Sequence, residues 1–159
     1  MIYLTGEIND ELVETLESSD LEGQTVYLNS HGGAADAMVL IMDHLANAKL
    51  KELVACGEIC SAAFYIFQTY KGKKRILPLT EGMIHQMYRV IPMSASGNYK
   101  PADAKHYERT NKDSTDYTNG LIADLPLTEE ELELFNSGGD VFFSYTRLVE
   151  LLTPKPKKR

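Results

Sequence analysis

The chain has 159 residues, 43% of them hydrophobic and 25% charged, which suits one globular domain with room for a sizeable core. Sixteen basic against 23 acidic residues leave a net charge of −7, a balance that argues against a general nucleic-acid binder. No apolar run approaches the ~20 residues that span a bilayer. The two cysteines, Cys56 and Cys60, provide no disulfide framework and have no His or Cys neighbours with which to bind zinc. Both read as small buried hydrophobes of a reduced compartment. No signal peptide is expected ahead of IYLTGEI, so the reading is a soluble, cytoplasmic protein.

Ile2 to Gly6 reads as a short strand. Glu7 to Glu17 reads as a helix with Asn9 as N-cap and Leu12, Val13 and Leu16 as its apolar stripe. Thr25 to Asn29 forms a second strand, which ends in Ser30-His31-Gly32-Gly33-Ala34. Helical spacing of Ala37, Leu40, Ile41, Leu45 and Ala48 follows. A Gly-Gly pair between strand and helix either aims backbone N–H groups at an anion or is merely a tight turn.

Leu50 to Cys56 is the third strand, and Ala62 to Tyr70 the helix behind it. Between them lies Ser61, in VACGEICSAAFY. A serine at a sharp strand-to-helix corner holds its hydroxyl at the mouth of the sheet, as nucleophile elbows do, although the GxSxG spelling is absent. By itself a serine among small residues more often just lets a helix pack closely. Lys71 to Arg75 is a basic, solvated turn. Ile76 and Leu77 begin a short strand, and after the Glu81-Gly82 turn Met83 to Met87 is an apolar strand carrying His85. A lone strand histidine is commonly a satisfied core residue. Strand–helix repetition implies parallel strands with right-handed crossovers.

Ser94 to Lys100 is turn-rich. Pro101 opens a long polar helix, Ala102 to Asp124, whose few apolar residues are Tyr107, Tyr117, Leu121 and Ile122. So thin a stripe suits a helix that projects or meets another subunit. Thr128 with Glu131 spells a capping box. Asn136 to Gly139 breaks that helix, Asp140 to Ser144 is extended, and Tyr145 to Leu152 is the last helix. One domain over residues 1–153 is expected, with a basic tail at 154–159.

Assembled, these parts are a Gly-Gly strand end, an elbow serine, a strand histidine and an aspartate after a glycine turn. Serine hydrolysis needs these groups: a hydroxyl, an imidazole to take its proton, a carboxylate to orient the ring, and N–H donors for the oxyanion. The segments IYLTGEIND, VYLNSHGGAADAMVLIMDHL, VACGEICSAAFYIF, KGKKRILPLTEGMIHQM and, more loosely, LTEEELELFNSGGDVFFS resemble the proteolytic subunit of the Clp protease (ClpP) and its relatives, including phage prohead proteases of that fold. The 24-residue separation of Ser61 and His85 (85 − 61) is close to the family's.

The resemblance implies an α/β fold, a ClpP/crotonase-like superhelix of β-β-α units with a protruding handle helix at about 101–125. It implies Ser61 as nucleophile, His85 as base and Asp140 as third member, with the amides of Gly33 or Gly32 and of Ala62 as oxyanion donors. It also implies a polypeptide substrate, a homo-oligomeric ring, and neither cofactor nor metal. Asp113, Asp116 and Asp124 are other carboxylates in or at the end of the polar helix, where solvated surface charges are expected; Asp140 could instead only cap its turn. His31 stands where the family has proline, Ala62 where it has methionine, and about one residue is missing between Gly33 and Ser61. The ends lack the family's N-terminal loops and closing segment, which favours a stand-alone or phage-type peptidase over one partnered by an ATPase. The competing classes are a catalytically silent ring subunit and a crotonase-fold acyl-CoA enzyme.

Overall fold

In a computed structural model, residues 1–87 and 101–153 are described, without the side chains of 101–105 and 107. The turn-rich 94–100 segment, the Tyr107 side chain and the basic tail at 154–159 lie outside the described residues. Strands β1 (Ile2–Ile8), β2 (Thr25–Gly33), β3 (Glu52–Cys60), β4 (Lys74–Ile76), β5 (Glu81–Ile84) and β6 (Val141–Phe143) form one sheet. Its order is β1-β2-β3-β5-β6, with β4 beside β3. All pairings are parallel except β5 with β6.

The helices are α1 (Asp10–Glu17), α2 (Ala35–Asn47), α3 (Ala62–Thr69), α4 (Pro101–Ile122), α5 (Glu129–Asn136) and α6 (Tyr145–Leu152). Their starts follow the expected local chemistry. Asn9 Oδ1 accepts the Leu12 N–H at 3.1 Å, and Thr128 and Glu131 close a reciprocal capping box. Helix α3 packs on β2, β3 and β5, and α6 on β4, β5 and β6. Leu53, Val54 and Ala55 on the central strand are wholly buried, as a parallel strand covered on both faces requires.

Strands β2 and β3 run four residues further than the sequence pattern suggests, because both are bulged. Register shifts fall between Thr5 and Glu7 on β1 and between Leu28 and Ser30 on β2. On β3 the extra residues surround Gly57, at φ 66°, where a Cβ would meet Asn29 Oδ1 at 2.6 Å. That same Asn29 oxygen accepts the Glu58 N–H at 3.0 Å and staples the bulge. Gly57 therefore serves the bulge, and the corner into α3 is made by Ser61 itself.

Helix α4 ends at Ile122, two residues short of the expected Asp124. Its base is anchored: Thr118 and Ile122 are buried, and Gln68 Nε2 of α3 donates to the Leu121 carbonyl at 2.5 Å.

Candidate active site

Parallel strands bring their C-terminal ends to one edge, the usual place for a site in such sheets. Gly32 and Gly33 end β2, Ser61 follows β3, and His85 follows β5. Cys60 is in register with Met83, and the Ser61 N–H donates to the Met83 carbonyl at 2.8 Å. The serine and the histidine segment are thus neighbours on adjacent strands.

Ser61 has φ 52° and ψ −122°, a conformation that L-residues adopt only under constraint. It is the N-cap of α3, yet its side chain makes no capping bond. The hydroxyl is left for other partners, and the Ala62 N–H lies in the first turn of a helix, where amides lack intrahelical acceptors.

Each glycine of the pair is required by contact. A Cβ on Gly32 would lie 2.7 Å from Ser61 Cβ and 2.9 Å from the Cys60 carbonyl oxygen; one on Gly33 would lie 2.2 Å from the Ile8 carbonyl oxygen. The Gly32 N–H is donated to Ser30 Oγ at 3.0 Å. Exposed His31 lies between these residues and leaves the loop's backbone contacts intact.

His85 Nδ1 lies 2.6 Å from the Gln86 carbonyl oxygen. A carbonyl only accepts, so Nδ1 carries the proton and Nε2 is the basic nitrogen of the neutral ring. This tautomer suits a general base. Two further contacts fix the segment. Buried Tyr65 of α3 donates its hydroxyl to the His85 carbonyl at 2.9 Å, and the Met87 N–H donates to buried Thr118 of α4 at 3.3 Å.

Asp140 sits immediately before β6. The antiparallel register runs Gly82 with Phe143, Met83 with Phe142 and Ile84 with Val141, and His85 and Asp140 are the residues next beyond its last pair. The carboxylate is exposed and holds no hydrogen bond or ion pair among the described residues. In this state the Gln86 carbonyl occupies Nδ1. Of the alternative carboxylates, Asp116 pairs with Lys112 at 2.5 Å, both side chains exposed on α4.

The neighbouring thiols do not compete with Ser61. Burial pushes Cys60 up to about 11, with Glu58 and Glu81 adding to the effect, and burial also raises Cys56. A neutral thiol is a poor nucleophile. Ser30, Tyr65, Thr118 and the Gln86 carbonyl were not legible beforehand as parts of the site. Only Ser30 carried a signal, its place two residues before Gly32.

A strained serine at a helix N-terminus thus follows one strand, and a histidine follows the strand paired with it. The family model described as Clp protease matches residues 1–113, and the chain belongs to that family. The ATP-dependent Clp protease proteolytic subunit of Borreliella afzelii is 36% identical over 106 residues, 60% of this chain and 54% of that protein. Proteolytic subunit 1 of Borreliella burgdorferi is likewise 36% identical over 106 residues, 60% of this chain and 55% of its own. Proteolytic subunit 3 of a Synechococcus species is 26% identical over 135 residues, 79% of this chain and 65% of its own. The chain spans about half the length of the Borreliella relatives it matches.

Proposed function

We propose that the chain is a serine endopeptidase in which Ser61 attacks the scissile carbonyl of an extended polypeptide. His85 Nε2 takes the hydroxyl proton and returns it to the leaving amine. The amides of Gly33 and Ala62 stabilise the oxyanion, and Asp140 orients and charges against the imidazolium. The observation that carries this reading is the φ 52° corner at Ser61, pressed against Gly32 beside a histidine of the right tautomer. The hydrogen bonds described above for His85 run to the Gln86 carbonyl and from the Tyr65 hydroxyl. Catalytic hydrogen bonds of free enzymes commonly tighten only with substrate.

A homo-oligomeric ring is part of the proposal. Exposed Val39 and Leu40 on α2, Tyr117 on α4, and Leu132 and Leu134 on α5 supply apolar surface for subunit contacts. The relatives are named as subunits of an ATP-dependent protease, and family membership supports an ATPase partner for this ring too. The stand-alone role expected from the chain's ends rested on those ends alone, and the relatives' greater length removes that ground. One domain over 1–153 with the handle at α4 completes the reading. Among the described residues no helix is long and apolar enough to cross a membrane.

Intact-mass detection of a fluorophosphonate adduct tests the reading. One adduct on the wild type, and none on Ser61→Ala or His85→Ala, is expected. The unengaged carboxylate of Asp140 favours one rival, a catalytically silent ring subunit. Absence of any adduct on the assembled wild type would select that rival.

A further inference from the structure

Three consecutive amides at the end of β2 have separate destinations. The Gly32 N–H donates to Ser30 Oγ, and the Ala34 N–H donates to the Ile8 carbonyl of β1 at 2.8 Å. Successive N–H groups along a strand point to opposite edges. With Ala34 committed to β1, the Gly33 N–H turns toward β3, the side on which Ser61 follows. Ser30 itself is 1% exposed, so its hydroxyl works out of reach of bulk water. An unpaired amide there would carry a desolvation penalty, which makes the Ser30–Gly32 bond a determined one.

The geometry points to Ser30 as a positioning residue of the oxyanion site. Its buried hydroxyl holds the Gly32 amide, keeps the Gly32 backbone against Ser61, and so presents the neighbouring Gly33 N–H to the oxyanion. Nothing in this role requires Ser30 to touch substrate. Gly33, with Ala62, is thereby the donor pair, and Gly32 is the spacer that lets β2 approach the nucleophile. The inference rests on the reading of Ser61 as the attacking group.

Ser30→Ala in the full chain is the test, read with a fluorogenic peptide substrate and with backbone amide exchange. A site whose donor has slackened loses transition-state stabilisation and keeps ground-state binding. The expected result is a kcat lower by about 10-fold or more with KM within about twofold. The Gly32 amide should exchange at least about 10-fold faster while amides in the β3 core are unchanged. An active wild type with Ser30→Ala unaltered in kcat overturns this inference alone. So does a Gly32 amide that exchanges at the wild-type rate. A wild type that neither cleaves the peptide nor takes a fluorophosphonate overturns the serine-peptidase reading, and this inference with it.

Discussion

A Cβ placed on Gly32 would lie 2.7 Å from the Cβ of Ser61. Gly32 is thus a steric requirement of the Ser61 corner. Gly32→Ala must move either β2 or the Ser61 corner, and it also forces an alanine to φ 108°. A stability loss of about 1–3 kcal/mol is expected. Fluorophosphonate labelling should slow far more than that loss in folded protein would explain. Thermal unfolding and labelling rate, measured on one preparation, separate the two effects.

Cys60 lies next to Ser61, with its thiol pushed up to about 11. At pH 8 it is therefore protonated and should resist iodoacetamide in the folded protein while reacting after denaturation. Cys60→Ala should keep the wild-type labelling rate at Ser61. A rapid alkylation of native Cys60 that also blocks peptide cleavage would make the thiol a rival nucleophile.

His85 and Asp140 lie next beyond the last pair of the β5–β6 register, and Nδ1 is held by the Gln86 carbonyl. If the carboxylate takes over when substrate binds, Asp140→Asn should lower kcat by about 10²–10⁴-fold. It should leave thermal stability unchanged, because the side chain is exposed and holds no partner among the described residues. Wild-type kcat in Asp140→Asn would instead make the Gln86 carbonyl the sufficient orienter of His85.

Glu52 of β3 accepts two bonds from Arg75, both at 3.0 Å, and lies 3.3 Å from Lys73. Arg75 foremost, helped by Lys73, holds its carboxyl below the ordinary 4.5 against the opposing effect of burial. A carboxylate with a lowered folded pKa contributes stability that is present above its unfolded value and lost as pH falls through the folded one. Glu52→Gln should therefore be less stable than wild type at pH 7. The gap should close as pH drops below 4.5, followed by urea unfolding at several pH values. A gap that persists unchanged at the acid end would assign the loss to packing rather than charge.

Local chemistry carried most of what the sequence determined. Asn9, and Thr128 with Glu131, mark helix starts because a cap joins a side chain to amides only a few residues away. The strand–helix alternation implied parallel strands, and four of the five strand pairings in the sheet are parallel. The elbow at Ser61 was legible from the small residues that let a helix start there.

Only the tertiary structure decided the rest. The bulges on β2 and around Gly57 on β3 lengthen those strands through contacts between strands, and no local pattern encodes a register shift. That β6 runs antiparallel, and so places Asp140 beside the end of β5, depends on the path of more than fifty intervening residues. Whether Gly32 or Gly33 faces the oxyanion turns on which neighbour captures each amide. Ser30 takes the Gly32 amide and Ile8 of β1 takes that of Ala34, and on the proposed reading this leaves the choice to Gly33. Local residue types named the groups that can do the chemistry; packing between distant strands set where those groups point, because hydrogen-bond direction is fixed only when the partner strand is in place.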